Sequence, residues 1–558
     1  MNGAETAVEA LRREGVDHVF GLPGTTIMHL IDALGRHPDI RYISVRHEQV
    51  ASFMADGYAR ATGRVGVCVA SRGPGAANLS IGVHNAHAES VPLLALVGQV
   101  SDDIAHREAF EEIDLVRFFE PLTKWQVEVH ETGRIPELLQ RALRTAVSGR
   151  PGSVFVSLPL DVQTRSAEPV FGPGFRPSPP SPDPGDVGKA LERLVHARRP
   201  VIVVGGGMLG GDHDPHLIEL ADRLQVPVVT TWLRKDAFPN GSPLFAGSLG
   251  YGAVAATDEL VRDADVLLAL GCRFSEFTTK RWSLLSAETE LIQVDVDPGV
   301  LGQYYIPAVG ICADARATTR ALVAALGRLP GGPADGHDAP VERRRRRVAE
   351  VRRRYLEQTG LPSVPSGSGR VSSAALIEAL RHVLGRTRAT LVQDAPGFGT
   401  WIHRYLDFPS AGSFYAAAGG SMGWGFPAAM GIQLARPDDR IITVCGDGSF
   451  WMVAQDLETA VREELPVVNI ITNNFAFGNT RDRQRTAHGG RYTGVFYGNP
   501  DFAGFARLLG AHGERVEKDG DLVPAIERAL ASGRPAVIDV IQDVNEGLPP
   551  DLVPPSAR

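Results

Sequence analysis

The sequence predicts an α/β protein of three domains, each a parallel sheet flanked by helices. Three observations carry that expectation. Across 1–165, 187–329 and 371–541, short runs rich in Val, Ile and Leu alternate with amphipathic helical segments, the pattern of repeated βαβ units. Two irregular stretches, 166–186 and 330–370, divide these regions as linkers; the first holds seven prolines, which suit neither a helix interior nor a sheet ladder. The length of 558 residues also suits three or four units at about 150 residues each.

In the first region the apolar runs at 18–21, 42–45, 65–70, 93–97 and 154–157 read as strands; in the third, those at 390–393, 441–445, 467–471 and 536–540 do. Parallel strands bind ligands beyond their carboxyl ends, so the chemistry should lie just after these runs. Two stretches echo each other. RVGVCVASRGPG and RIITVCGDGSF both run Arg, buried strand, glycine turn, helix, and each is followed by a proline and a second buried strand. Pro92 and Pro466 mark those second strands, which points to two domains of shared architecture. Inside the second linker, ERRRRRVAEVRRRYLE reads as a solvated basic helix.

Composition excludes several classes. Lys+Arg 57 against Asp+Glu 65 leaves a charge of −8, without the positive field a nucleic-acid partner needs. Four cysteines, at 68, 272, 312 and 445, are too few and too scattered for a disulfide framework or a zinc site, which points to a reducing compartment. No apolar run approaches the roughly 18 residues of a membrane span. A soluble, cytoplasmic protein is expected. The tail, 542–558, is short and proline-rich, readable either as disordered or as a lid.

Cys445-Gly446-Asp447-Gly448-Ser449 follows a strand and precedes a helix expected to start near Phe450. Glycines let the backbone turn tightly, a helix N-terminus offers free amides to an anion, and Asp447 can hold a cation beside it. Asn473-Asn474 ends the next strand and so falls at the same sheet edge. A diphosphate with Mg²⁺ fits: two diphosphate oxygens, Asp447, Asn474, a backbone carbonyl at Ala476 and a water would complete six ligands.

GDGSF followed by TNN at this spacing resembles the thiamine diphosphate motif of the acetolactate synthase-like superfamily. That group includes acetolactate synthases, benzoylformate decarboxylases, oxalyl-CoA decarboxylases and 2-hydroxyacyl-CoA lyases. RHEQVASFMADGYAR (46–60), SRGPGAANL (71–79), SVPLLALVGQ (90–99) and GSMGWGFPAAMG (420–431) extend the resemblance over essentially the whole chain. It implies a pyrimidine-binding first domain, a Rossmann-like middle domain and a diphosphate-binding third domain, with active sites shared between subunits of a homodimer or homotetramer. Glu48, within RHEQ, is implied as the catalytic acid that protonates the pyrimidine N1′. Gly420 and Met422 are implied to hold the pyrimidine and prop the cofactor in a bent shape. Gly446, Gly448, Ser449 and Asn474 would hold the diphosphate end, with Gln455 near it.

The implied reaction is C–C lysis or ligation: an enamine forms from a 2-oxo acid and is passed to a second carbonyl or a proton. AFEEID (109–114) stands where acetolactate synthases usually show AFQETP, which makes Phe110 an active-site wall and Glu111 a candidate participant. The carboxyl pair brings the stretch nearer to oxalyl-CoA decarboxylases. Asn479 and Arg483 stand where acetolactate synthases carry Met and Trp, and Arg481, Arg483 and Arg485 read either as anion ligands or as exposed charges. An enzyme of acyl-CoA substrates and a non-catalytic paralogue therefore stand as alternatives. In the middle domain GGG (205–207), SLGYG (248–252), CRF (272–274) and VDVDP (294–298) resemble a FAD site, a scaffold that in relatives also takes a CoA or ADP moiety.

Overall fold

A computed structural model describes residues 1–328, 339–362, 369–394, 396–549 and Leu552. Its order of elements builds three six-stranded sheets, all of whose paired strands run parallel. The first holds β1 (His18–Gly21), β2 (Arg41–Ser44), β3 (Gly66–Ala70), β4 (Leu93–Gln99), β5 (Gln126–Glu128) and β6 (Ser153–Pro159). The second holds β7 (Val201–Val204), β8 (Val228–Thr230), β9 (Phe245–Ser248), β10 (Val266–Leu270), β11 (Glu290–Asp295) and β12 (Val309–Cys312). In the third are β13 (Ala389–Gln393), β14 (Phe414–Ala416), β15 (Arg440–Gly446), β16 (Val468–Asn473), β17 (His512–Val516) and β18 (Ala536–Ile541). The central strands β3, β4, β7 and β10 are buried along their whole length, as continuous apolar runs covered by helices on both faces should be.

The strand orders are informative. The first sheet runs β2-β1-β3-β4-β6-β5 and the third β14-β13-β15-β16-β18-β17, the same order twice, which bears out the echo between the two sequence stretches. The second sheet runs β12-β11-β10-β7-β8-β9. That is the 3-2-1-4-5-6 order of a dinucleotide-binding fold, with its switch point between β7 and β10.

The first and third units meet through two helices, Glu48–Thr62 and Gly425–Ala435. Glycine permits the approach: a Cβ on Gly57 would stand 2.2 Å from the Ala428 carbonyl oxygen, and one on Gly431 2.1 Å from that of Met54. Beside them the Arg46 amide donates to Asp456 Oδ1 at 2.8 Å. The middle unit is pinned to the third by Lys235, fully buried, whose ammonium donates to the carbonyls of His403 and Leu406.

The basic stretch forms a helix, Ala339–Gln358, but not a solvated one. Val348, Val351 and Tyr355 enter the core of the middle unit. Arg344 is buried and donates to the carbonyls of Leu194, Val195, Ala197 and Leu224, where two helices end, while Arg352 reaches those of Phe245 and Asn240. Free C-terminal carbonyls attract cations, so part of this charge is structural.

Candidate active site

At the carboxyl edge of the third sheet lies a cavity of about 280 Å³. Gly446 lines it as an extended N-cap residue; the helix begins at Asp447 itself, not near Phe450 as the sequence suggested. Glycine at 448 lets two rings approach that helix's first turn: a Cβ there would stand 2.7 Å from the Phe477 ring and 2.8 Å from the Tyr497 hydroxyl. Asp447, Gly448, Ser449, Asn474 and Ala476 all line it, as do Gly420 and Met422 from the opposite side. Gly420 has φ +79°, a conformation that favours glycine.

Asp447 is the electrostatic centre. Its Oδ1 accepts from the Gly448 amide at 2.9 Å and from the Tyr497 hydroxyl at 3.0 Å; its Oδ2 accepts from the Phe475 amide and Asn499 Nδ2, each at 2.8 Å. None of these donors is a cation. Burial pushes the Asp447 carboxyl above its ordinary range although all four hydrogen bonds favour its charged form. A buried carboxylate without a counter-charge suits a metal ion, and the Ser449 hydroxyl beside it is buried with no hydrogen-bond partner. Asn474 Oδ1 accepts only a long bond, 3.2 Å, from the Ala476 amide. Its neighbour Asn473 is taken up by Asp539 and Asn499. Tyr497 and Asn499 carry no sequence signal: they follow the helix Gly478–Ala487 in a loop without periodic pattern.

Other expected residues lie elsewhere. Gln455 sits outside the cavity, against Trp451 and Phe505 in a shallow apolar depression, which corrects its expected place near the diphosphate. Glu48 is the first residue of its helix, capped by His47, and is buried. It accepts a 2.9 Å hydrogen bond from Asn78, and its Oε1 would stand 3.2 Å from a Cβ on Gly75. It faces the loop after β3, and no first-unit residue lines the cavity. Phe110 is 77% exposed, with its carbonyl accepting from Arg72 Nε; Glu111 follows with φ +61°. Of the three arginines, Arg483 is exposed and Arg485 partly covered, whereas Arg481 is buried on the cavity wall.

At the switch point of the middle sheet, 205–207 abut the end of β10: a Cβ on Gly205 would lie 2.1 Å from the Gly271 oxygen, and Gly206 faces Arg234. Arg273 makes no ion pair among the described residues, and burial together with nearby Arg150 pushes its guanidinium below its usual range. Glu89 is held down to about 2: burial raises it, but Arg234 and Arg60 beside it prevail.

Three family descriptions match in chain order: "Thiamine pyrophosphate enzyme, N-terminal TPP binding domain" over 1–118, the central domain over 187–322 and the C-terminal TPP binding domain over 394–540. The chain belongs to the thiamine pyrophosphate enzyme family. Within this family it is similar to the probable acetolactate synthase large subunit of Methanocaldococcus jannaschii, 34% identical over 100% of this chain and 94% of that one. The acetolactate synthase of Mycobacterium bovis is 35% identical, covering 97% of this chain and 88% of its own, and the large subunit of Corynebacterium glutamicum 34%, covering 97% and 87%. The thiamine pyrophosphate enzyme is thus acetolactate synthase-like, and the comparison does not favour the acyl-CoA alternative. Among the described residues no helix is long and apolar enough to cross a membrane.

Proposed function

We propose that this protein is a thiamine diphosphate and Mg²⁺ dependent carboligase acting on 2-oxo acids, with each active site completed by two copies of the chain. The observation that carries the reading is the separation of two halves: Asp447, Asn474 and Met422 share one cavity, while Glu48 faces another loop of its own chain. Asp447 and Asn474, with the Ala476 carbonyl, would hold Mg²⁺, and Ser449, whose buried hydroxyl has no partner, would hold the diphosphate with Gly446 and Gly448 beside it. Gly420 and Met422 would support the ring end.

When bound, thiamine diphosphate supplies an electron sink for the carbon next to a carbonyl. The chain supplies the rest. Glu48 of the partner subunit would hold a proton at the pyrimidine N1′ and take it back during the cycle, and Met422 would support the rings. Phe110 and Glu111 reach the site as part of the same partner surface. The middle unit's glycine turn, with Arg273 and the first unit's Arg150 near it and Arg234 held by Glu89, would be the place for a nucleotide diphosphate, either FAD or a CoA or ADP moiety.

The test is calorimetry of the purified protein with thiamine diphosphate, with Mg²⁺ and then with chelator, followed by incubation with pyruvate, other 2-oxo acids and acyl-CoAs. Metal-dependent binding and a new C–C bond from pyruvate are expected. Turnover of acyl-CoA alone would refute the carboligase reading.

A further inference from the structure

Arg481 belongs to a helix, Gly478–Ala487, whose basic residues could all have been solvated, yet it is among the largest fully buried side chains. Its Nε and Nη2 donate to Asp482 Oδ1 at 3.1 and 2.8 Å, and Nη2 also to the Glu546 carbonyl at 3.0 Å. Nη1 is buried without a hydrogen-bond partner. Leaving a charged donor unmade in the interior costs more than the bond itself returns, so an empty Nη1 calls for an acceptor. Asp482 does not fully balance this cation, because Arg485 also approaches the same Oδ1, at 3.5 Å.

Arg481 is the one cation lining the cavity among the described residues; Asp394, Asp447, Asp482 and Glu546 line it as well. Its position within the cavity is defined by Gly478. A Cβ there would stand 3.1 Å from Asn474 Nδ2 and 3.9 Å from Arg481 Nη2, so the guanidinium shares its corner with the expected metal ligand. The wall at Gly397, Phe398 and Gly399 offers no side-chain donor to an anion.

From this we infer that Arg481 Nη1 anchors the terminal phosphate of the bound diphosphate, a role that rests on reading the cavity as the thiamine diphosphate site. The fork of Nε and Nη2 stays on Asp482 and the tail carbonyl and fixes the guanidinium, while Nη1 takes the phosphate oxygen in a single charge-assisted hydrogen bond.

The experiment compares calorimetric affinities for thiamine diphosphate and thiamine monophosphate, both with Mg²⁺, in the wild type, Arg481→Gln and Arg481→Lys. Loss of one charged hydrogen bond should weaken diphosphate binding in Arg481→Gln by about 10- to 100-fold while the monophosphate changes by less than about 3-fold. Lysine, which keeps the charge but not the fork, should recover part of the difference. It carries the test alone if the glutamine variant does not fold, with a smaller loss expected for the diphosphate only. Equal losses for both ligands, unchanged diphosphate affinity, or a raised KM for the 2-oxo acid with unchanged cofactor affinity would overturn the assignment. A wild type that binds no thiamine diphosphate would instead remove the cavity reading beneath it.

Discussion

The first and third sheets repeat one strand order, yet the loops after their third strands do opposite things. After β3 the chain closes on the helix that Glu48 begins, where Asn78 donates to the Glu48 carboxyl and Gly75 abuts it, while Gly73 packs against Glu111. After β15 the turn at Gly446 opens a cavity around Asp447. Identical topology thus presents a covered carboxyl group in one unit and a hollow lined by a buried carboxyl group in the other. Architecture places a loop at the sheet edge; side chains decide what it does there.

That contrast can be broken at either end. Asp447→Ala should abolish Mg²⁺-dependent binding of thiamine diphosphate, and unaltered calorimetric affinity would refute the hollow's role. Next in size is complementation. Co-expressed Glu48→Gln and Asp447→Ala chains should regain about a quarter of wild-type activity, because half of randomly paired dimers contain one intact site of two. No recovery would place both halves within one chain. Glu48→Gln alone should bind the cofactor yet slow exchange of its C2 proton by roughly 10²-fold, the scale of a lost acid–base group; exchange at the wild-type rate, followed by NMR, would remove Glu48 from the mechanism.

The smallest effect lies at the seam between the two units. Asp456 Oδ1 accepts from the Arg46 amide and the Thr459 hydroxyl, and burial pushes its carboxyl up to about 6. A folded pKa above the unfolded one means that the native state binds the extra proton. Its contribution is therefore present in acid and lost as pH rises from about 4 to about 6, by an amount of order 2 to 3 kcal/mol. Asp456→Asn should flatten that part of the profile in urea unfolding followed from pH 4 to 7; an unchanged slope would exclude Asp456 as its source.

Much of this was legible in advance. Buried parallel strands declare themselves as continuous apolar runs, so the centres of the first and third sheets were readable, as were Asp447, Asn474 and Met422 at the cavity. The edge strands β5, β14 and β17 were not: Gln126–Glu128 is only half-buried, Phe414–Ala416 is three residues long, and His512–Val516 carries charges on its open side. Tyr497 and Asn499 reach Asp447 from a loop about 50 residues onward, a contact that no local pattern encodes. The arginine-rich helix misled because its charge was read before its spacing. Val341, Val348, Val351 and Tyr355 form one apolar stripe, and the stripe, not the count of arginines, sets which way the helix lies.

That helix has a practical corollary for dissection of the molecule. Because Arg344 ties off the ends of two helices that precede it by more than a hundred positions, a fragment cut where the βαβ alternation stops, near 329, would lose both ties and expose Tyr355's seat. A self-sufficient middle unit should extend through Gln358.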